Sequence, residues 1–164
     1  SFELLFFQVM GWSKRYFQFL NFFVVDSKRQ GDDSPYSEAT VMVRVRGEDV
    51  HTAATGNGPV NALDRALRRA LEGAYPKLKE LKLLDFKVRV LSGAVRDTGG
   101  TSSVVRVLIE SGDGADRWTT VGVSHNIIEA SWQALVDAVN YKLFKDDPQK
   151  WPTGARKDEP TPVP

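Results

Sequence analysis

One passage from strand to helix occurs twice in this chain, and it limits the folds the chain can adopt. The first copy runs through Gly56-Asn57-Gly58-Pro59-Val60-Asn61-Ala62, the second through Ser124-His125-Asn126-Ile127-Ile128-Glu129-Ala130. Each follows a β-type run and opens an amphipathic helix. An internal repeat decides the architecture before any single motif does. The pattern predicts an α+β fold of two pseudo-symmetric βββα units, each an antiparallel sheet covered by one helix.

In the first unit, 20–26 reads as a strand. In 38–46, Ala39, Val41, Val43 and Val45 alternate with Thr40, Met42, Arg44 and Arg46, the pattern of a half-buried strand. A turn at Gly47-Glu48-Asp49 leads into a strand from Val50 to Thr55. Helix 59–72 starts with Pro59 at its first position, carries Val60, Leu63, Leu67, Ala70 and Leu71 on one stripe, and is expected to end at a Gly73 cap. In the second unit, strand 81–91 sets Asp85, Lys87 and Arg89 against Leu84, Phe86, Val88 and Val90. A Gly/Ser/Thr-rich loop over 92–102, strands 103–110 and 116–123, and helix 127–144 complete it, with Asn126 and Glu129 at capping-pair spacing. Leu20-Asn21-Phe22 matches Leu84-Asp85-Phe86, and the run from Ala62 to Leu67 matches that from Ala130 to Leu135. Each sheet has one face without a helix, which predicts sheet-on-sheet stacking in a dimer.

Outside the repeat, residues 1–18 read as a linker-helix region, with a short helix over 2–10. It is aromatic, but its polar interruptions keep it below the ~18 apolar residues of a membrane span. The chain opens on Ser1 and reads as a piece of a larger protein. The main folded body is expected at 19–144, with repeats over about 19–75 and 80–144, and a disordered Pro-rich tail at 145–164.

A net charge of +1 argues against nucleic acid or an anionic membrane as partner. With no cysteine there is no disulfide framework and no thiolate metal site, and a cytoplasmic location fits. His51 and His125 form no metal or catalytic motif, and no nucleophile elbow or nucleotide-binding glycine pattern is present. No catalytic residue, metal or cofactor is expected. The candidates are binding residues. Asn57 and Gly58, and Ser124 to Asn126 with His125, stand at helix N-termini, where unpaired N–H groups favour a carboxylate and simple capping uses the same residue types. Asp85 is a candidate for a ligand ammonium, and Thr101 and Ser102 for the slot between.

The runs Gly56 to Asp64, Val104 to Glu110, Thr120 to Ser124 and Ile127 to Trp132 resemble the C-terminal regulatory domain of the 2-isopropylmalate synthase and citramalate synthase family, closest to the citramalate synthase branch. The resemblance covers roughly 15–144. It implies a homodimeric allosteric domain that binds a branched-chain amino acid: isoleucine for citramalate synthases, leucine for 2-isopropylmalate synthases. The implied pocket takes Asp85 and Lys87, Thr101 and Ser102, and Gly122, Val123 and Ser124. The parent would be an acetyl-CoA-dependent acyltransferase. Its catalytic TIM barrel needs about 250 residues, so no synthase activity is expected of this chain alone. A dimerisation domain without a ligand and an RNA-binding module are the alternative readings.

Overall fold

The computed structural model describes residues 16–91 and 103–148. The expected helix at 2–10, the 92–102 loop, and the tail from 149 lie outside the described residues. Two three-stranded antiparallel sheets, each with one helix, give the expected pair of βββα units. The first sheet holds β1 (Gln18–Ser27), β2 (Tyr36–Val45) and β3 (Glu48–Gly56), with β2 central. Helix α1 (Pro59–Leu71) covers β2 and β3. The second sheet holds β4 (Lys82–Leu91), β5 (Val104–Gly112) and β6 (Arg117–Ser124), covered by α2 (Ile127–Asp146).

The two units agree down to single hydrogen bonds. Thr52 Oγ1 donates to the Ala66 carbonyl and Thr120 Oγ1 to the Ala134 carbonyl, both at 2.7 Å. These threonines sit opposite Val41 and Ile109. β1 breaks register between Phe19 and Asn21, and β4 between Leu83 and Asp85. These bulges fall at matched positions and place Phe22 opposite Val41 and Phe86 opposite Ile109.

The alternation in β2 holds as read: Ala39, Val41, Val43 and Val45 are buried under α1. Four local expectations change. The β2–β3 turn is Arg46-Gly47, one residue earlier than expected, with positive φ at both residues as a two-residue hairpin of this hand requires. Arg46 then lies 5.1 Å over the Tyr75 ring. Helix α1 does not end on a left-handed Gly73. Tyr75 N–H donates to the Leu71 carbonyl, and Pro76 starts a 3-10 helix (Pro76–Glu80) that the sequence pattern did not reveal. In β4 the bulge removes Leu84 from the Phe86 face and brings Leu83 onto it, leaving Leu84 exposed. Helix α2 continues to Asp146, because Lys145 is bonded to Asp116 and Asp113, and Asp146 to Lys142.

Each helix also meets the edge strand of the other sheet. Trp132 of α2 stacks on Phe19 and Phe22 of β1, with centroids 5.2 and 5.1 Å apart. Arg68 of α1 donates to the Leu81 carbonyl just before β4, at 2.8 Å. α2 is buried far beyond one stripe, including Ser131, Asn140 and Lys142.

Candidate functional site

The crossing of helices and edge strands creates two related clefts. The first lies between the start of α1 and β4, with a volume of about 590 Å³. Gly58, Pro59, Val60 and Asp64 border it on one side, and Leu83 and Phe86 on the other. The N-cap Gly58 supplies no side-chain cap, and acidic residues are absent from the first turn of α1. Ala62 N–H is satisfied by the Gly58 carbonyl at 3.0 Å, and Pro59 has no N–H. The amides of Val60 and Asn61 therefore keep the positive end of the helix directed at the cleft mouth.

Asp64 stands one turn further along and is 5% exposed. Burial pushes its carboxyl upward, against the pull of Arg68, whose Nη2 lies 2.6 Å from Oδ2. This is the one buried acid bordering the cleft, and it was not singled out from the sequence. Its position was nonetheless visible there, because Asp64 pairs with Trp132 in the match between units. In the second unit Trp132 fills the corresponding space against Phe19 and Phe22 and is 6% exposed. The second cleft is therefore displaced along α2, towards Val136 and Asp137. At the matched place the first unit stays open, while Trp132 fills it in the second.

The residues expected to bind fall into three groups. Gly58 borders the open cleft, and the exposed Asn57 precedes it in the same loop. Asp85 and Lys87 lie on the opposite face of β4 from Phe86, beside Glu110 and Leu108. Plain alternation after the bulge sets that orientation, and Asp85 is engaged locally: its Oδ1 accepts from Phe86 N–H at 2.9 Å, and Lys87 Nζ lies 3.6 Å from its Oδ2. Gly122, Val123, Ser124 and His125 form the end of β6 and its loop, away from the first cleft. Gly122 is buried against Ala130, Val123 and His125 are exposed, and Ser124 Oγ donates to Glu129 at 3.0 Å. Asn126 caps α2 as expected, accepting from Ile128 and Glu129 N–H. Thr101 and Ser102 lie outside the described residues. Within one chain, Gly58 and its loop thus reach the cleft, while the second loop and the outward face of β4 stand apart from it.

Among the described residues, one group of acids has the spacing for a cation: Glu80, Asp113 and Asp146. The charge there is already supplied. Lys142 Nζ lies 3.1, 2.8 and 2.5 Å from their carboxylates, at 1% side-chain exposure. This ammonium makes the cluster an internal latch with no place for a metal.

Comparison with known proteins agrees with this architecture. The family model for the LeuA allosteric (dimerisation) domain matches residues 1–143. The chain is 58% identical to the (R)-citramalate synthase of Geobacter sulfurreducens and 55% identical to that of Aquifex aeolicus, each over 90% of this chain and 27% of the relative. The 2-isopropylmalate synthase of Aquifex aeolicus is 33% identical over 72% of this chain and 20% of that protein. The chain thus spans about a quarter of the length of these relatives, at 27% of the first two. With two βββα units in place and 143 residues matched, the chain belongs to the LeuA allosteric (dimerisation) domain family.

Proposed function

We propose that this domain binds a branched-chain amino acid, isoleucine, and serves in feedback inhibition of a citramalate synthase. The observation that carries the reading is the open cleft at the start of α1, set against the matched place in the second unit, which Trp132 fills. Its parts suit a zwitterion with a short apolar side chain. The α1 amides receive the carboxylate. The carboxylate of Asp64, steadied by Arg68, takes the ammonium that the sequence had assigned to Asp85. Val60, Leu83 and Phe86 form the apolar wall. Isoleucine is favoured over leucine because the similarity to the citramalate synthases is the greater.

The parent enzyme is proposed to catalyse synthase chemistry outside these residues, with this domain as its homodimeric regulatory part. Val88 and Val90 continue the cleft-facing side of β4 and remain 38% and 62% exposed. A second copy of the chain supplies their cover, and its second loop is then free to complete the pocket.

Thermal unfolding of the chain with millimolar isoleucine, leucine or valine tests the reading. A ligand at roughly 100 times its dissociation constant adds about 2.7 kcal/mol, a rise of about 5–10 °C in Tm for a domain of this size. The expected result is a rise with isoleucine that exceeds the rise with leucine. No rise with any of the three would leave a ligand-free dimerisation domain as the better description.

A further inference from the structure

The second cleft carries a separate inference, independent of the effector reading. It has a volume of about 670 Å³, with Phe17, Phe19, Val121, Trp132, Val136 and Asp137 in its lining. The match between units shows what is unusual there. In the first unit α1 carries Arg65 and Arg69 over the free edge of β3. Arg65 Nη1 donates to the Thr55 carbonyl at 3.1 Å, and Arg69 Nη1 to the Ala53 carbonyl at 2.6 Å. The matching positions on α2 are Gln133 and Asp137. Gln133 keeps the edge contact in reversed polarity, its Oε1 accepting from Val123 N–H at 3.1 Å. Asp137 replaces a cation by an anion. Val121 holds the register position of Ala53, opposite Leu108 as Ala53 is opposite Thr40.

Where the first unit seats the Arg69 guanidinium, the second therefore has an edge-strand carbonyl position, a carboxylate, aromatic walls and space. Among the described residues, no cationic side chain lines the cleft. Burial pushes Asp137 up to about 6, and no neighbouring cation offsets it. At pH 7.5 it is an anion with no counter-charge among the described residues.

We propose that this cleft binds a small organic ammonium ion with an apolar or aromatic body. The ammonium sits between the Asp137 carboxylate and the Val121 carbonyl, as the Arg69 guanidinium sits on Ala53. The body lies against Phe17, Phe19 and Trp132, whose ring faces attract a cation as well as apolar surface. Gln133, fixed on the strand edge, closes one side.

The test is a titration of the full chain with phenethylamine at pH 7.5, followed by backbone-amide NMR, with the neutral isostere 2-phenylethanol alongside. Saturable shifts confined to Phe17, Phe19, Val121 and Gln133 are expected for the amine alone. Asp137→Asn should weaken binding about tenfold or more, through loss of the charge-assisted hydrogen bond. Asp137→Arg copies the first unit and should abolish binding while the chain stays folded by circular dichroism. The proposal is overturned by absence of saturable shifts, by equal binding of the alcohol, by undiminished binding to either variant, or by shifts centred on Val60 and Leu83. The last outcome would place the amine in the other cleft, while isoleucine binding there is read separately from the Tm series.

Discussion

Two glycines in the expected binding loops answer to different constraints. A Cβ on Gly122 would lie 1.7 Å from the Ala130 carbonyl oxygen, which belongs to the backbone of α2 and cannot swing aside. Gly122→Ala therefore forces strand and helix apart, at about 3 kcal/mol or more. At Gly58 the space a Cβ would take is open to 4 Å, and its φ of −168° is extended. Gly58→Ala should change stability by no more than about 0.5 kcal/mol, while its methyl group, at the cleft mouth, should weaken the proposed isoleucine binding. Urea unfolding of both variants separates packing from binding. Equal, small losses would show that the close approach at Gly122 is easily relieved. Asp137 gives a second prediction. Its folded pKa is raised above the ordinary 3.8 to about 6. Its contribution to stability is thus fully present below pH 3.8 and lost as pH rises through about 6. Asp137→Asn should stabilise the domain at pH 7.5, by on the order of 1 kcal/mol after solvent screening, and do little near pH 4. A Tm difference that does not change with pH would contradict this.

At the scale of elements, the C-terminal end of α2 is held by charge. Lys142 links the 3-10 helix through Glu80, the β5–β6 turn through Asp113 and its own last turn through Asp146. Lys145 adds Asp113 and Asp116 at 2.6 and 2.7 Å. Burial works against both partners, yet the hydrogen bonds prevail: Asp113 is held far below the usual carboxylate range and Lys142 above the usual ammonium one. Asp113 therefore lends stability that is present above its unfolded pKa and lost as pH falls below about 4. Lys142→Met leaves Asp113 buried with Lys145 alone and should cost about 3 kcal/mol at neutral pH. It should also flatten the acid limb of a stability-against-pH curve. An unchanged acid limb would mean that Lys145 alone holds the turn. This latch also marks the limit of what was legible in the sequence. The strand and helix runs could be read because they rest on local periodicity, as in Ala39 to Val45. The burial of Lys142 could not, since it depends on a turn 29 residues away. Nor could the faces of Leu83 and Leu84 be read, because one bulged residue at Leu84 reverses the alternation before Asp85. The site was half legible: Gly56 to Pro59 announces a helix start. What lies opposite that start depends on α1 reaching an edge strand of the other sheet, which no local pattern encodes.

Among the described residues, the molecule is left with apolar surface that α1 and α2 do not cover. On the first sheet Phe23 and Val25 are 63% and 61% exposed, side by side with Thr40 and Glu38 on the face opposite α1. On the second, Leu84 and Val123 are 42% and 47% exposed. The outer edges are treated differently. Arg65 and Arg69 occupy carbonyls of β3, and Gln133 an amide of β6, which discourages open-ended strand addition. With those edges blunted, face-to-face association is the remaining way to remove the apolar positions from water, and it closes on itself as a symmetric pair. On the proposed reading such a pair would couple to the effector: a ligand in the α1–β4 cleft would lie beside Val88 and Val90 and favour whichever arrangement of the two copies covers them. Light scattering on the chain should give twice the monomer mass. Phe23→Lys with Val25→Lys should shift it towards the monomer without unfolding it, because neither side chain belongs to the buried core. If the pair also completes the pocket, the monomeric variant should bind isoleucine at least tenfold more weakly, about 1.4 kcal/mol. Undiminished binding in a proven monomer would assign the effector to one chain alone and remove the dimer from the inhibitory route.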